Sequence, residues 1–444
     1  MAALRYKTLV DEFAQKIRNG PWVAGTRLPT HRVLARQHGI ALATATKVYA
    51  ELERMGLVIG ETGRGTYVRD LNAPPGYGQT QESLRQGVVD LAFNYPYLPK
   101  QAEELRHALR ELAASGDLSC LISAQPTVGR ETERRLVARH LGVRGVQVQA
   151  SDLLLVNGAQ QGLALTVLAL LKPGDVVAVD ALTYPGFMAL AQTHRLDLAP
   201  IAMGTHGPHL DDLERLMNAR PVKAIYTMPT LHNPMGWVMG AADRARLVAL
   251  ARQHDALIIE DGTYSFLVAD APPPVRELAP ERTVYVSGLS KTVGGGLRFG
   301  FVVTPSRYLV TLERTLRALT WSNSTLTTAL CGRWLEDGTV NRMELEKRAD
   351  ARARQAIAAE ELAGLQMISN PASYFVWLML PPEVRADQLA SMLKREGILV
   401  ATSEAFAAAA FFPHAIRLSM GGVDLTVLRA ALKRIRHEIN HYPI

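Results

Sequence analysis

The sequence predicts two folded units of different class: an α+β unit over residues 1–70 and an α/β unit with a central, mostly parallel sheet over residues 88–444. Three observations carry this. The first 55 residues hold apolar positions at helical spacing and are followed by two short β-prone runs around a glycine-rich turn. Residues 71–87 are rich in Pro, Gly and Gln and show no period, which marks a linker. From residue 88 onward, apolar runs alternate with helical stretches, the pattern of an α/β domain. A smaller C-terminal subdomain is expected from about residue 335. At 444 residues the chain is too long for one ordinary core, so the division is expected on size as well.

Composition removes several classes. With 48% hydrophobic and 20% charged residues the chain is neither disordered nor membrane-like. No run of about 18 apolar residues occurs, and the start "MAALRYKTLVDEF" lacks the apolar core of a signal peptide. Cys120 and Cys331 are too few for a disulfide framework and fit a reducing cytoplasm, where the protein is expected to reside. No metal site and no membrane partner are expected. The net charge is +7, and residues 1–70 hold eleven Lys/Arg against six Asp/Glu, a local balance of +5. Such a lobe is either a plain basic domain or a polyanion-binding module.

Within the first unit, Leu9, Val10, Phe13 and Ile17 define a helix closed by Gly20. Thr30 caps a second, short helix carrying Val33 and Leu34, ended by Gly39. A third runs from about Ala43 to Met55, and "LVIGETGRGTYV" reads as a hairpin. Three helices and a hairpin make a winged helix-turn-helix. The stretch "LPTHRVLARQHGIALATATKVYAELERMGLVIGETGRGTYV" resembles the winged-helix domain of the GntR family of bacterial repressors. That resemblance implies binding to a double-stranded DNA operator. Thr44, Thr46 and Lys47 would face the DNA from the third helix, Arg32 would contact a phosphate, and Gly63, Arg64 and Gly65 would form the wing tip. One departure stands out. Ala41–Leu42 occupies the place of the family's Ser–Arg, so a helix cap and a DNA contact are missing.

In the second unit five apolar runs end alike. "DLLLV" leads into "NGAQQGL", "DVVAV" into "DALTYPG", "VKAIYTM" into "PTLHNPMG", "ALIIE" into "DGTYS" and "TVYVS" into "GLSKTVGGGLRFG". Ligands of open α/β sheets bind beyond the carboxyl ends of the strands, so five polar or small-residue ends in order imply one shared pocket. Gly158, Ala159 and Gln160 open a helix whose free N–H groups suit a phosphate, and Ser290 and Arg298 can add donors. Asp261 can pair with a ring nitrogen, Tyr184 can stack, and Asn233 and Tyr264 can hydrogen-bond a phenolate. Lys291, a lone lysine among small residues, can form a Schiff base with an aldehyde. Phosphate, pyridine, phenolate and aldehyde together describe pyridoxal 5′-phosphate (PLP). Singly, Asp261 would read as a strand-end cap, Tyr184 as core and Arg417 as one half of a surface ion pair; the ordered set is what points to a cofactor.

Residues 88–444 resemble the fold type I PLP-dependent aminotransferases, through "SGLSKTVGGGLRFG", "LHNPMG" with Met235 in place of threonine, and "IIEDGTYS". The resemblance implies that Lys291 carries the cofactor and that Arg417, in "AIRLSM", clamps a substrate or effector α-carboxylate. Asn94, in "FNYP", is expected on the same side. Two positions depart from that family: Gly288 stands where a phosphate-binding serine or threonine is common, with Ser287 one place earlier, and Ala124 stands near a common tyrosine. Both remove donors from the phosphate cup, which suits a sensor.

The whole chain resembles the MocR subfamily of GntR-type regulators. This implies a homodimer in which the large domain senses PLP or a small amino compound and controls DNA binding. The alternatives are a working aminotransferase tethered by its N-terminal domain, and a regulator that senses an amino acid without cofactor.

Overall fold

Helical spacing in the first 55 residues produces three helices: α1 (Ala2–Asn19), α2 (His31–His38) and α3 (Leu42–Arg54). In this computed structural model the described residues are 2–19, 21–22, 25–55, 57–61, 65–68, 87–115, 118–204, 206–409 and 412–442. The expected helix end at Gly20, the wing-tip residues Gly63 and Arg64 and the linker stretch 71–86 lie outside them.

The periodic residues of α1 (Leu9, Val10, Phe13, Ala14 and Ile17) are buried together with Leu34 of α2 and Ala45, Val48, Tyr49 and Leu52 of α3. This interface is the core of the N-terminal lobe, and removing so much apolar area from water is its main source of stability. The Thr30 hydroxyl accepts from the Val33 N–H at 3.3 Å, and Gly39 closes α2 with φ 58°. Helix α3 starts after Ala41 without a side-chain cap, as the missing serine predicts. Strands β1 (Val58–Glu61) and β2 (Gly65–Val68) pair antiparallel, with Val58 opposite Val68 and Glu61 opposite Gly65.

The chain resumes at β3 (Val89–Asp90) and builds a seven-stranded sheet from β4 (Leu153–Val156), β5 (Val176–Asp180), β6 (Asp197–Ile201), β7 (Val222–Thr227), β8 (Leu257–Asp261), β9 (Thr283–Gly288) and β10 (Gly300–Val303). Its order is β4-β10-β9-β8-β7-β5-β6. Neighbours from β9 through β6 run parallel; β10 is antiparallel to both β4 and β9. The five apolar runs of the sequence are β4, β5, β7, β8 and β9. Strand β6 alternates exposed and buried residues and carries Pro200, features of the sheet edge it forms. Strand β10 lies directly behind the glycine-rich motif, and Gly300, its first residue, reads in sequence as part of that motif.

Beyond the long helix Thr339–Glu361, strands β11 (Met367–Ser369), β12 (Phe375–Met379), β14 (Ala401–Thr402) and β15 (Ala415–Ser419) form a four-stranded antiparallel sheet in the order β11-β12-β15-β14. Strand β13 (Ile398–Leu399) pairs instead with β3, Ile398 opposite Val89. The first residues after the linker are thereby paired with the C-terminal part of the chain, and the strap 91–98 stays bonded to it, Leu91 O accepting from Ser419 N–H at 2.7 Å and Tyr97 N–H donating to Gly421 O at 2.9 Å.

Candidate cofactor and effector site

Strand ends β4, β5, β7, β8 and β9 empty into one cavity of about 330 Å³. Its wall includes Ala159, Gln160, Tyr184 and Asn233 from the first three of those ends, and Asp261, Tyr264, Ser290 and Lys291 from the last two. Arg298, Asn94 and Arg417 complete the predicted set. Gly158 stands immediately behind the wall, at φ 83°, where an added Cβ would meet the Arg298 guanidinium at 2.6 Å.

At the phosphate end, helix Ala159–Leu170 begins at that glycine. The Gln160 amide donates to Gly186 O at 2.9 Å, while its Oε1 and the Ser290 hydroxyl are buried without a hydrogen-bond partner among the described residues. A buried hydroxyl left without a partner is uncommon in folded proteins, and beside the N–H groups of a helix N-terminus the Ser290 hydroxyl can donate to an anion, whereas Gln160 Oε1 accepts and calls for a donor. Arg298, itself at φ 53°, lies over the same turn and reaches Asn157 O at 3.5 Å. The departure at Gly288 has a steric cause: an added Cβ would sit 2.6 Å from the backbone oxygen of Phe299, just before β10. Ser287 is turned away and donates to Gly262 O at 3.0 Å. Ala124 is exposed.

Asp261 is buried at the end of β8 and accepts from Thr263 N–H at 2.9 Å and from the Tyr226 hydroxyl at 3.1 Å. Burial raises its pKa, and these bonds and the charge of Lys291 oppose the rise. A carboxylate held in this way suits a protonated ring nitrogen. Tyr264 is buried edge-on to Phe375 and receives a hydrogen bond from the Asn94 amide at 3.0 Å; burial pushes its hydroxyl up to about 12. Tyr184 precedes helix Pro185–Thr193, and burial raises its hydroxyl too.

Lys291 is the most perturbed cation of the wall. Burial first, and then the positive charges of Arg417, Arg298 and Lys347, push its ammonium down to about 7. Its Nζ donates to Asn94 O. Arg417, on β15, donates from one terminal nitrogen to Asn233 Oδ1 at 3.1 Å and from the other to Ala92 O, and its Nε is buried without a partner among the described residues. The expected phenolate partner Asn233 thus stands on the carboxylate side, facing Arg417.

Sequence reasoning missed Tyr226, which stands behind Asp261, and three residues of the wall. Tyr226 lies inside β7, where a tyrosine reads as core. Phe93 and Tyr95 flank the quoted Asn94 and were visible as aromatic neighbours. Phe406 sits in an alanine-rich stretch that offers no signal.

In the N-terminal lobe, Arg32 of α2 and Thr46 and Lys47 of α3 are exposed, and Thr44 is half-buried. The Thr46 hydroxyl is 3.1 Å from Leu42 O and 3.3 Å from His31 Nδ1, so part of its capacity is spent within the lobe. Gly65 opens β2 at φ 126°, and a Cβ there would lie 3.2 Å from Arg27 Nε. Among the described residues no helix is long and apolar enough to cross a membrane, and no cluster of three or more His, Cys, Asp or Glu is placed to hold a metal ion.

Comparison with known proteins agrees with this division. Residues 86–435 match the family "Aminotransferase class I and II", whose fold implies dependence on PLP, and residues 5–68 match "Bacterial regulatory proteins, gntR family", which implies DNA binding. The chain is 25% identical to the HTH-type transcriptional regulator YdeF of Bacillus subtilis, over 94% of this chain and 90% of the relative. It is 26% identical to the HTH-type transcriptional regulator YjiR of Escherichia coli, over 97% and 98%. Among solved structures, an archaeal alanine:glyoxylate aminotransferase superposes with a TM-score of 0.75 at 22% identity, over 82% of this chain and 94% of that one, a likeness of fold. The chain belongs to the aminotransferase class I and II family and, with a gntR-family domain fused ahead of it, is a GntR-type regulator of the MocR arrangement.

Proposed function

We propose that the large domain holds PLP on Lys291 and senses a small amino compound, and that occupancy of this pocket sets the affinity of the N-terminal lobe for its operator. Bound PLP supplies an aldehyde to which an amine can add and a ring that withdraws electrons when its nitrogen is protonated. Asp261 holds the ring-nitrogen proton, Tyr264 and Tyr184 frame the ring, Ser290, Gln160, Arg298 and the helix beginning at Ala159 take the phosphate, and Arg417 takes a carboxylate.

One observation carries the coupling. Both cations meant for ligands are held by carbonyls of a single strap: Ala92 O accepts from Arg417 and Asn94 O from Lys291. A carboxylate on Arg417 and a covalent bond at Nζ each displace one of these contacts. The strap runs back through β3 into the linker and the DNA-binding lobe. Ligand binding thus releases two contacts of the segment that the linker joins to the lobe, a differential contact of the kind that allostery requires.

A homodimer is the assembly that the surface supports. Leu118 and Ile122 lie on a short helix packed against Thr325–Glu336, which exposes Leu326, and Trp321 precedes that helix. Exposed apolar residues grouped in this way mark an interface, and a two-fold dimer presents two readers to paired half-sites.

The low pKa of Lys291 gives a pH test. An ordinary lysine has roughly one free amine in several thousand at pH 7, whereas a group at about 7 has close to half. Only the free amine is nucleophilic. The rate at which PLP becomes fixed to the protein by borohydride should therefore level off above about pH 7 and fall about tenfold per unit below it. A rate that still climbs tenfold per unit toward pH 10 would contradict the assignment.

Lys47 offers the test of the DNA face. Replacing it with alanine removes one phosphate contact, so affinity should fall by a similar factor on all sequences and the slope of log K against log salt should shrink by about one. Titrations of operator and random DNA at several salt concentrations measure both; a change in base preference with an unaltered slope argues against a phosphate contact.

A further inference from the structure

The charged groups of the cavity wall are Asp261, Lys291, Arg298 and Arg417. On the reading proposed above, on which this inference rests, each already has a ligand group to meet: ring nitrogen, aldehyde, phosphate and carboxylate. Of the neutral wall, Gln160, Ser290 and Asn233 are assigned to the phosphate and carboxylate ends, and the part formed by Ala92, Phe93, Tyr95 and Phe406 is aromatic and apolar. The Phe406 ring lies 4.8 Å from the Arg417 guanidinium carbon. Across from it the strap presents Phe93 and Tyr95, whose rings are 4.4 Å apart at 40°. Lys291 Nζ lies 4.9 Å from the Tyr95 centroid and 5.7 Å from that of Phe93. A side chain attached to a carbon between Lys291 and Arg417 therefore lies among rings. Ala92 adds a methyl to this part of the wall.

A second carboxylate, as in aspartate or glutamate, would lose its water there and find every wall cation already engaged. A second ammonium would lose its water there too, and Asp261, the one carboxylate of the wall, is already engaged by the ring nitrogen. At about 330 Å³ the cavity is near the small end of ligand pockets, so a single compact side chain fits beside the cofactor.

We infer that the effector is a neutral α-amino acid with an aromatic or branched aliphatic side chain, laid against Phe93, Tyr95 and Phe406, and that dicarboxylic and dibasic amino acids are rejected. Phe93 and Phe406 are the specificity-determining residues of this arrangement.

The test uses the full-length protein loaded with PLP, whose visible band is titrated with L-phenylalanine, L-leucine, L-glutamate and L-lysine, with heats of binding measured in parallel. Phenylalanine and leucine should half-saturate at concentrations at least tenfold below glutamate and lysine. Phe93→Ala and Phe406→Ala should each raise the half-saturation for phenylalanine several-fold more than that for glutamate, with melting temperature reporting that each variant is folded. A band that responds to glutamate as readily as to phenylalanine, or to none of the four, overturns the inference and leaves the cofactor reading standing. A protein that forms no band and takes up no borohydride label refutes the cofactor reading, and the inference falls with it.

Discussion

Replacing Lys291 with alanine is expected to abolish borohydride-stable attachment of PLP and, with it, any response of operator binding to amino compounds. The loss should be chemical, with the fold intact. Lys291 is held among Arg417, Arg298 and Lys347, and its charged form is disfavoured where it stands, so its removal relieves repulsion. The variant should melt at or above the temperature of the parent protein without cofactor. Ser290, Gln160, Asp261 and Arg298 remain, so weak non-covalent PLP binding should persist, visible as a band that borohydride fails to fix. A lysine-free variant that still yields protein-bound label places the reactive amine elsewhere. Mass spectrometry of the labelled peptide identifies the residue in either case.

The second large effect is expected at Gly300. Strand β10 crosses the β4 turn so closely that a Cβ at this position would lie 2.5 Å from Gly158 C and 2.9 Å from Ala159 N. These are backbone atoms, which cannot swing aside as a side chain does. Gly300→Val should therefore push the turn that opens the phosphate-binding helix, at a cost of about 1–3 kcal/mol, the usual penalty for overpacking. PLP retention should weaken by more than tenfold, because the N–H groups, the Ser290 hydroxyl and Arg298 lose their common focus. Equilibrium dialysis against PLP and urea unfolding separate the two effects. If retention is unchanged while stability falls, the turn is not part of the phosphate site.

Much of this architecture was legible in the residues, and the reasons are physical. Helix α2 of the N-terminal lobe has strong signals at both ends, the Thr30 cap and Gly39 in the left-handed region, and apolar spacing buries Leu34, Val48 and Leu52 across α2 and α3. Strands β4, β5, β7, β8 and β9 are buried almost throughout and read as apolar runs, broken in β7 by the exposed Lys223. Strand β6 was hidden because an edge strand with Pro200 lacks that run, and β10 because its first glycine belongs to the lysine motif. In the candidate site, Lys291, Asp261 and Asn233 were legible because strand ends place chemistry in a predictable position. Phe406 was not, since a lone phenylalanine among alanines has no period and no strand end, and only the tertiary fold brings it beside Arg417. The strap contacts were equally invisible, because Ala92 O and Asn94 O are backbone atoms that any residue supplies.

The central claim is that occupancy of the pocket is felt at the DNA-binding lobe through the strap 91–98, to which the linker joins it. Its most direct test is the affinity of the full-length protein for an operator fragment recovered by selection from random DNA. The measurement is made at one fixed salt concentration, without cofactor, with PLP, and with PLP plus L-phenylalanine. The account predicts that occupancy changes affinity by about 5- to 150-fold, the range of coupling between linked sites, and that Lys291→Ala removes the effect of the amino acid. Identical affinities in all three conditions, with the absorbance band confirming that the pocket is loaded, would contradict it.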